Sequence, residues 1–324
     1  MRLLLVELSR FRSRRAIALM LVGAALLTVL IAVTTAWDTR PVSEADRAAA
    51  QAQADAEAER PHVAREIARC EQNPRRYLGP RAEAGECAAA MTPQADWFLF
   101  RAELSLAEEN RDSAMAVLVI SAAVMIIIGT TFAGADWASG SMSNQLLFEP
   151  RRARVWLAKA GAVFVGTMAA TALFITAFWA FLFVLAEARG IATGATVQET
   201  IRWTAARGVL LAGAGAVGGY ALTMLLRHTV GTLAAMFVYA VGGEMLIASV
   251  PVEGMGRWSL ANNMFAWLQD GYEYYDSSLP CEPGRNFCDQ LGTLTLGSAA
   301  AYIAVLLAAV MVLSLVLFRR RDIP

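Results

Sequence analysis

The chain has 324 residues, 57% of them apolar and 17% charged, and its mean hydropathy is +0.45, the composition of an integral membrane protein. Its 28 basic and 28 acidic residues cancel, but arginine gathers at a few sites and acidic residues in one long loop. The zero net charge therefore says nothing by itself, and nothing points to nucleic acid as a partner.

Residues 1–15 come first, with Leu3, Leu4, Val6, Leu8 and Phe11 beside Arg2, Glu7, Arg10 and Arg12. That mixture suits a helix lying in the inner membrane interface; the other reading is that it is the end of the first span. The arginines lead straight into a full-length apolar run, and TTAWDTRPVSEADR carries only a weak small-residue pattern, so no cleavable signal is expected.

About 20 apolar residues cross roughly 30 Å of hydrocarbon. Runs that meet or approach this length lie at 16–37, 113–135, 155–188, 208–226, 230–250 and 294–318. The third is long enough for two short spans, but no turn residue interrupts it, and it counts as one. Arg2, Arg10, Arg12, Arg14 and Arg15 before the first span, Arg151, Arg152, Arg154 and Lys159 after the second, Arg227 with His228 in the fourth-to-fifth turn, and Arg319, Arg320 and Arg321 after the sixth all fall on one side. The positive-inside rule then places both termini in the cytoplasm. The fold class expected is an all-α membrane protein of six transmembrane helices, with an amino-terminal interfacial helix and a helical extracytoplasmic insertion between spans one and two.

That insertion, 38–112, favours helix over 43–69 by propensity, with Ser43 and Asp46 as a cap. Pro74, Gly79, Pro80 and Gly85 reverse the chain, and a second helix is expected over 92–110. Cys70 and Cys87 flank the reversal, while Cys281 and Cys288 bracket EPGRNF in the last outer loop. Four cysteines on the outer side allow three pairings, of which the two local disulfides are expected. A zinc site fits less well, since neither pair has CxxC spacing and His62 and His228 fall on opposite sides of the membrane.

The cytoplasmic loop, 136–154, is DWASGSMSNQLLFEPRRAR. Asp136 is expected to start a helix whose Trp137, Met142, Leu146 and Leu147 offer apolar contacts, and Pro150 to form an elbow within the first turn of the next helix. The arginines meet lipid headgroups or acidic groups on a partner; taken singly, each reads as a positive-inside anchor. Spans three to five occupy 155–250, and their Gly213, Gly215, Gly218, Gly219, Gly231, Gly242 and Gly243 suit close helix packing at least as well as substrate passage. Glu244 is the intramembrane candidate for a substrate or gating role; it equally fits a protonated group or one reaching outer water. The loop 251–293 is aromatic, with Trp258, Phe265, Trp267, Tyr272, Tyr274 and Tyr275, and reads either as an interfacial cap or as a re-entrant helix. Span six and a basic tail fill 294–324.

The pattern resembles the membrane subunit of type 2 ABC transporters, which has six spans, an amino-terminal interfacial helix and a coupling helix between spans two and three. Those permeases show an acidic residue, Gly-Thr, an apolar stretch, Pro-x-x-Arg and Gly-Lys. Here Asp136 matches the acid, Gly140 the glycine, Pro150 the proline, Arg151 or Arg152 the arginine and Lys159 the lysine. Departures are Asp for Glu, Ser141 for Thr and Ala158 for the glycine before the lysine. The resemblance implies an exporter assembled from two permeases, alike or different, and a separate ABC ATPase subunit. It also implies that the segment from Asp136 to Pro150 enters an ATPase groove through Met142, Leu146 and Leu147. The absence of GxxxxGK[ST] agrees with nucleotide being bound elsewhere. No cofactor is expected, and the substrate, whether drug, peptide, lipid or ion, stays open. An intramembrane enzyme is disfavoured because neither HExxH nor GxSxG occurs. A membrane scaffold or sensor with the outer insertion as receptor is the alternative function.

Overall fold

A computed structural model describes residues 2–79, 82–99, 103–250, 252–276, 279 and 290–321. The chain divides into two compact units, one formed by Thr34–Leu104 and the other by the remainder. Among the described residues, six helices are long and apolar enough to cross a membrane, as the hydrophobic runs predict.

The chain starts with α1, Arg2–Ser13, and α2, Arg15–Asp38. Arg14 separates them and turns its guanidinium inward, donating from Nη1 to the Phe132 carbonyl at 2.6 Å. The expected amino-terminal helix is therefore a distinct element that packs against a later span, rather than the end of the first one.

In the smaller unit, the helix expected over 43–69 is two helices, α3, Glu44–Ala58, and α4, Pro61–Gln72. Pro61 has no N–H for a continuing helix and forces Arg60 into extended backbone, so it ends one helix and opens the next. The Ser43 cap forms as expected: Asp46 N donates to Ser43 Oγ at 3.2 Å, and Ser43 N donates back to Asp46 Oδ2 at 3.0 Å. Short helices α5, Pro74–Leu78, and α6, Glu86–Met91, follow. The Cys70–Cys87 disulfide ties α4 to α6, with both cysteines fully buried. Cys281 and Cys288 lie outside the described residues. The second helix expected over 92–110 is replaced by a 3-10 turn at Ala95–Phe98 and by α7, Leu106–Arg111. Pro93 prevents an early start, and Ser105 caps the late one.

In the larger unit α8, Ser113–Ala138, α9, Ser141–Phe148, and α10, Arg152–Ala188, follow one another, and α10 is a single unbroken helix. The fourth run extends well before residue 208, as α11, Ala195–Leu226. Its first turns carry Arg202 and Arg207, which lower hydropathy without opposing helix formation. At 1.5 Å per residue α10 and α11 are roughly 55 and 48 Å long, more than a hydrocarbon core requires. The fifth run is α12, Thr229–Val238, a π turn at Tyr239–Gly243, and α13, Glu244–Ser249, largely exposed.

Among the described residues, the fold is all-α except for one feature that apolar runs did not foretell. After α14, Leu260–Gln269, strands β1, Tyr272–Tyr275, and β2, Leu291–Leu294, pair antiparallel with Tyr272 opposite Leu294. Leu294, placed in the sixth span by its hydropathy, is thus a strand residue, and α15 runs from Leu296 to Arg320. Ala266, Tyr274, Leu294 and Ala299 make a small core beneath the hairpin.

The bundle core lies where α8 and α11 meet. A Cβ on Gly129 would come within 2.0 Å of the Ala216 carbonyl oxygen, and one on Gly219 within 2.8 Å of the Ile126 carbonyl oxygen. Here small residues let two backbones touch, which accounts for part of the glycine content. Gly242, in the π turn, has no such neighbour.

Candidate ionic junction at the α8–α9–α10 turn

Asp136 does not start a helix; it lies in the last turn of α8, and α9 begins five residues later. Gly140 takes φ +67°, the left-handed conformation that ends helices cheaply only at glycine, and this sets the sharp turn. Pro150 stands outside α10, whose first residue is Arg152 with Arg151 as its cap, so the elbow precedes the helix instead of forming its first turn. Glu149 is extended, as the residue before a proline should be.

Three buried charged side chains meet where these elements converge with α1, and two arginines flank them. Lys159 is fully buried, and its Nζ lies 2.5 Å from Asp136 Oδ2 and 2.9 Å from Glu7 Oε2. Glu7 and Asp136 are buried too. Arg14 pairs with the second oxygen of Asp136, to which Ser141 Oγ also donates at 2.9 Å. Gln145 Nε2, on α9, donates to Glu7 Oε1 at 2.6 Å; Arg10 Nη1 reaches the same oxygen and Gln145 Oε1, each at 3.3 Å. The Phe132 ring supports the cluster, with Arg14 Cζ 4.5 Å and Lys159 Nζ 5.4 Å from its centroid.

Burying charge costs several kcal/mol per ion, offset here because each acid has two cations and further hydrogen-bond donors. The arrangement joins α1, α8, α9 and α10 through ion pairs and hydrogen bonds. It fixes the direction in which α9 leaves the bundle.

The residues of α9 divide accordingly. Met142, expected as an outward contact, is fully buried in the bundle core, and Leu146 packs against that core. Leu147, expected as an outward contact, is 80% exposed, and its exposed neighbour is Phe148 at 91% in place of Leu146. Arg151 is exposed, whereas Arg152 turns in and donates to the carbonyls of Phe318 and Arg321 at the end of α15. Arg227, at the end of α11, lies over the Trp137 ring at 4.8 Å. Partial burial and then the neighbouring charges of Arg321 and Arg152 hold its guanidinium below the ordinary arginine range.

Glu244 has a different setting from the one its sequence invites. Its carboxylate accepts from Ser259 Oγ at 2.6 Å, Leu260 N at 2.8 Å and Ala261 N at 3.3 Å, which are the cap and first amides of α14. Its oxygens are committed to fastening that helix start.

The sequence reading brought together Asp136, Gly140 and Lys159 and overlooked Glu7, Arg10, Arg14, Gln145 and Phe148. Glu7 did carry a signal: it is the lone acid among the arginines that precede the first span. Comparison with protein-family models, with curated proteins and with solved structures returns no match.

Proposed function

We propose that this chain is the permease subunit of an ABC exporter, moving a substrate across the bacterial cytoplasmic membrane with ATP hydrolysed by a separate subunit. The observation that carries the reading is α9: a short helix between two long apolar helices, clamped by a buried ionic cluster and ending in the exposed pair Leu147 and Phe148. An exposed apolar pair on a rigid mount suits a partner pocket, because the mount transmits displacement and the pair supplies burial on contact. In this reading both termini and α9 are cytoplasmic, two permeases pair, and the ATPase seats Leu147 and Phe148 in its groove.

Purification from the native host in mild detergent tests this. The expected result is a stoichiometric companion that hydrolyses ATP. A reproducibly solitary chain, with crosslinking confirming that no companion was lost, would replace this reading by a membrane scaffold or sensor. The observation favouring that second reading is the separate unit Thr34–Leu104, stapled by its own buried disulfide.

A further inference from the structure

We infer that Glu7 is the positioning residue for α9, and that α1 with Arg14 forms a separable clasp on the α8–α9–α10 turn. The bonds that cross between the two sides are Glu7 to Lys159, Glu7 to Gln145, Arg10 to Gln145, and Arg14 to Asp136 and the Phe132 carbonyl. The bonds that stay within a side are equally informative. Glu7 keeps Arg10 at 3.3 Å, and Asp136 keeps both Lys159 at 2.5 Å and Ser141 at 2.9 Å. When the two sides part, neither acid is left without a cation, which is the condition that makes breaking a buried ion pair severe.

Glu7 is the hub of the crossing set, touching α9 through Gln145 and α10 through Lys159. The apolar contact beneath it is close: α1 rests on α10 at Gly161 and Gly166, where a Cβ would come within 3.2 Å of Leu4 and 2.7 Å of Phe11, and Phe11 is itself buried against Phe132. The opposite face of α1 exposes Leu5 and Val6, so lipid contact is kept as the clasp opens. The orientation of α9 is thus set from the amino terminus, by a helix that shares no chain segment with it.

The claim concerns the chain alone and requires no ATPase, so its failure is distinct from failure of the exporter reading. The test uses the full chain in lipid nanodiscs, with genetically encoded spin-bearing residues at the exposed Ser9 and Asn144 and the separation read by pulsed dipolar spectroscopy. The native protein is expected to give one narrow distribution. Glu7→Gln should broaden it toward longer distances, Glu7→Asp should restore most of the narrow component, and Arg14→Gln with Gln145→Ala should broaden it further while thermal unfolding shifts by only a few degrees. Leu182→Ala serves as the control, since this fully buried residue of α10 loosens the interior far from α9 and the clasp, and should leave the distribution narrow. An unchanged distribution in Glu7→Gln, or equal broadening in Leu182→Ala, would overturn the assignment. Loss of folding in the Arg14→Gln, Gln145→Ala protein would overturn it as well, because α1 would then be an inseparable part of the core.

Discussion

Two acids of this bundle meet opposite fates. Asp136 pairs with charged side chains drawn from α10 and from the junction of α1 and α2, whereas Glu244 binds the backbone amides at the start of α14. The first arrangement joins elements through groups that can change partners, and the second fixes one helix end to another through groups that cannot. Sequence position alone made Glu244 the more suggestive residue, since it sits within an apolar run. Its surroundings make it a fastening, and they move attention to the junction around Lys159.

The sharpest way to break this contrast is Lys159→Met. It leaves Glu7 with Arg10 and Asp136 with Arg14, both less buried than the lysine, so the expected loss is about 3 kcal/mol, the low end of the cost of removing one partner of a buried ion pair. Thermal unfolding in detergent reads it, and a midpoint near native would show that the junction is wetter than its burial implies. Glu244→Gln is a smaller perturbation, expected to cost about 1–2 kcal/mol by weakening charge-assisted bonds to a helix start. Hydrogen exchange should rise in the first turn of α14 and stay unchanged in α9; exchange rising in both would dissolve the distinction between the two regions.

Smallest is a pH effect confined to the hairpin end. Burial, and then the negative charge of Asp276, raise the phenol of Tyr274 above its ordinary value. The neutral form is the folded form, so this stabilisation is complete below the usual phenol range and is lost as pH climbs through it and beyond. Absorbance titration of the native and Tyr274→Phe proteins should differ by one tyrosine that ionises later than a free phenol.

Much of the architecture was legible because a bilayer imposes its length on sequence: the apolar runs locate all six long helices. Errors gathered where a local signal competes with that pattern. Pro61 was passed over in a stretch rich in helix formers, and Leu294 was absorbed into an apolar run although it pairs with Tyr272. The ionic junction was half legible. Asp136 and Lys159 stand 23 residues apart on either side of one turn, but Glu7 and Lys159 are separated by 152 residues, and no local spacing connects them. The division of α9 into buried Met142 and exposed Phe148 depends on the turn angle that Gly140 allows, which helix periodicity by itself does not supply.

The central claim is that α9 is a rigidly mounted contact for a motor subunit, and the most direct measurement is companion retention by the Leu147→Asp, Phe148→Asp protein. Native and variant chains would be purified side by side from host membranes and the companion quantified per chain. Loss of two contacts each worth more than about 1 kcal/mol predicts at least a tenfold weaker association. Because both side chains are exposed, unfolding should stay within about 0.5 kcal/mol of native. Equal retention of the companion by both proteins would contradict the account, since the exposed end of α9 would then contribute nothing to the contact.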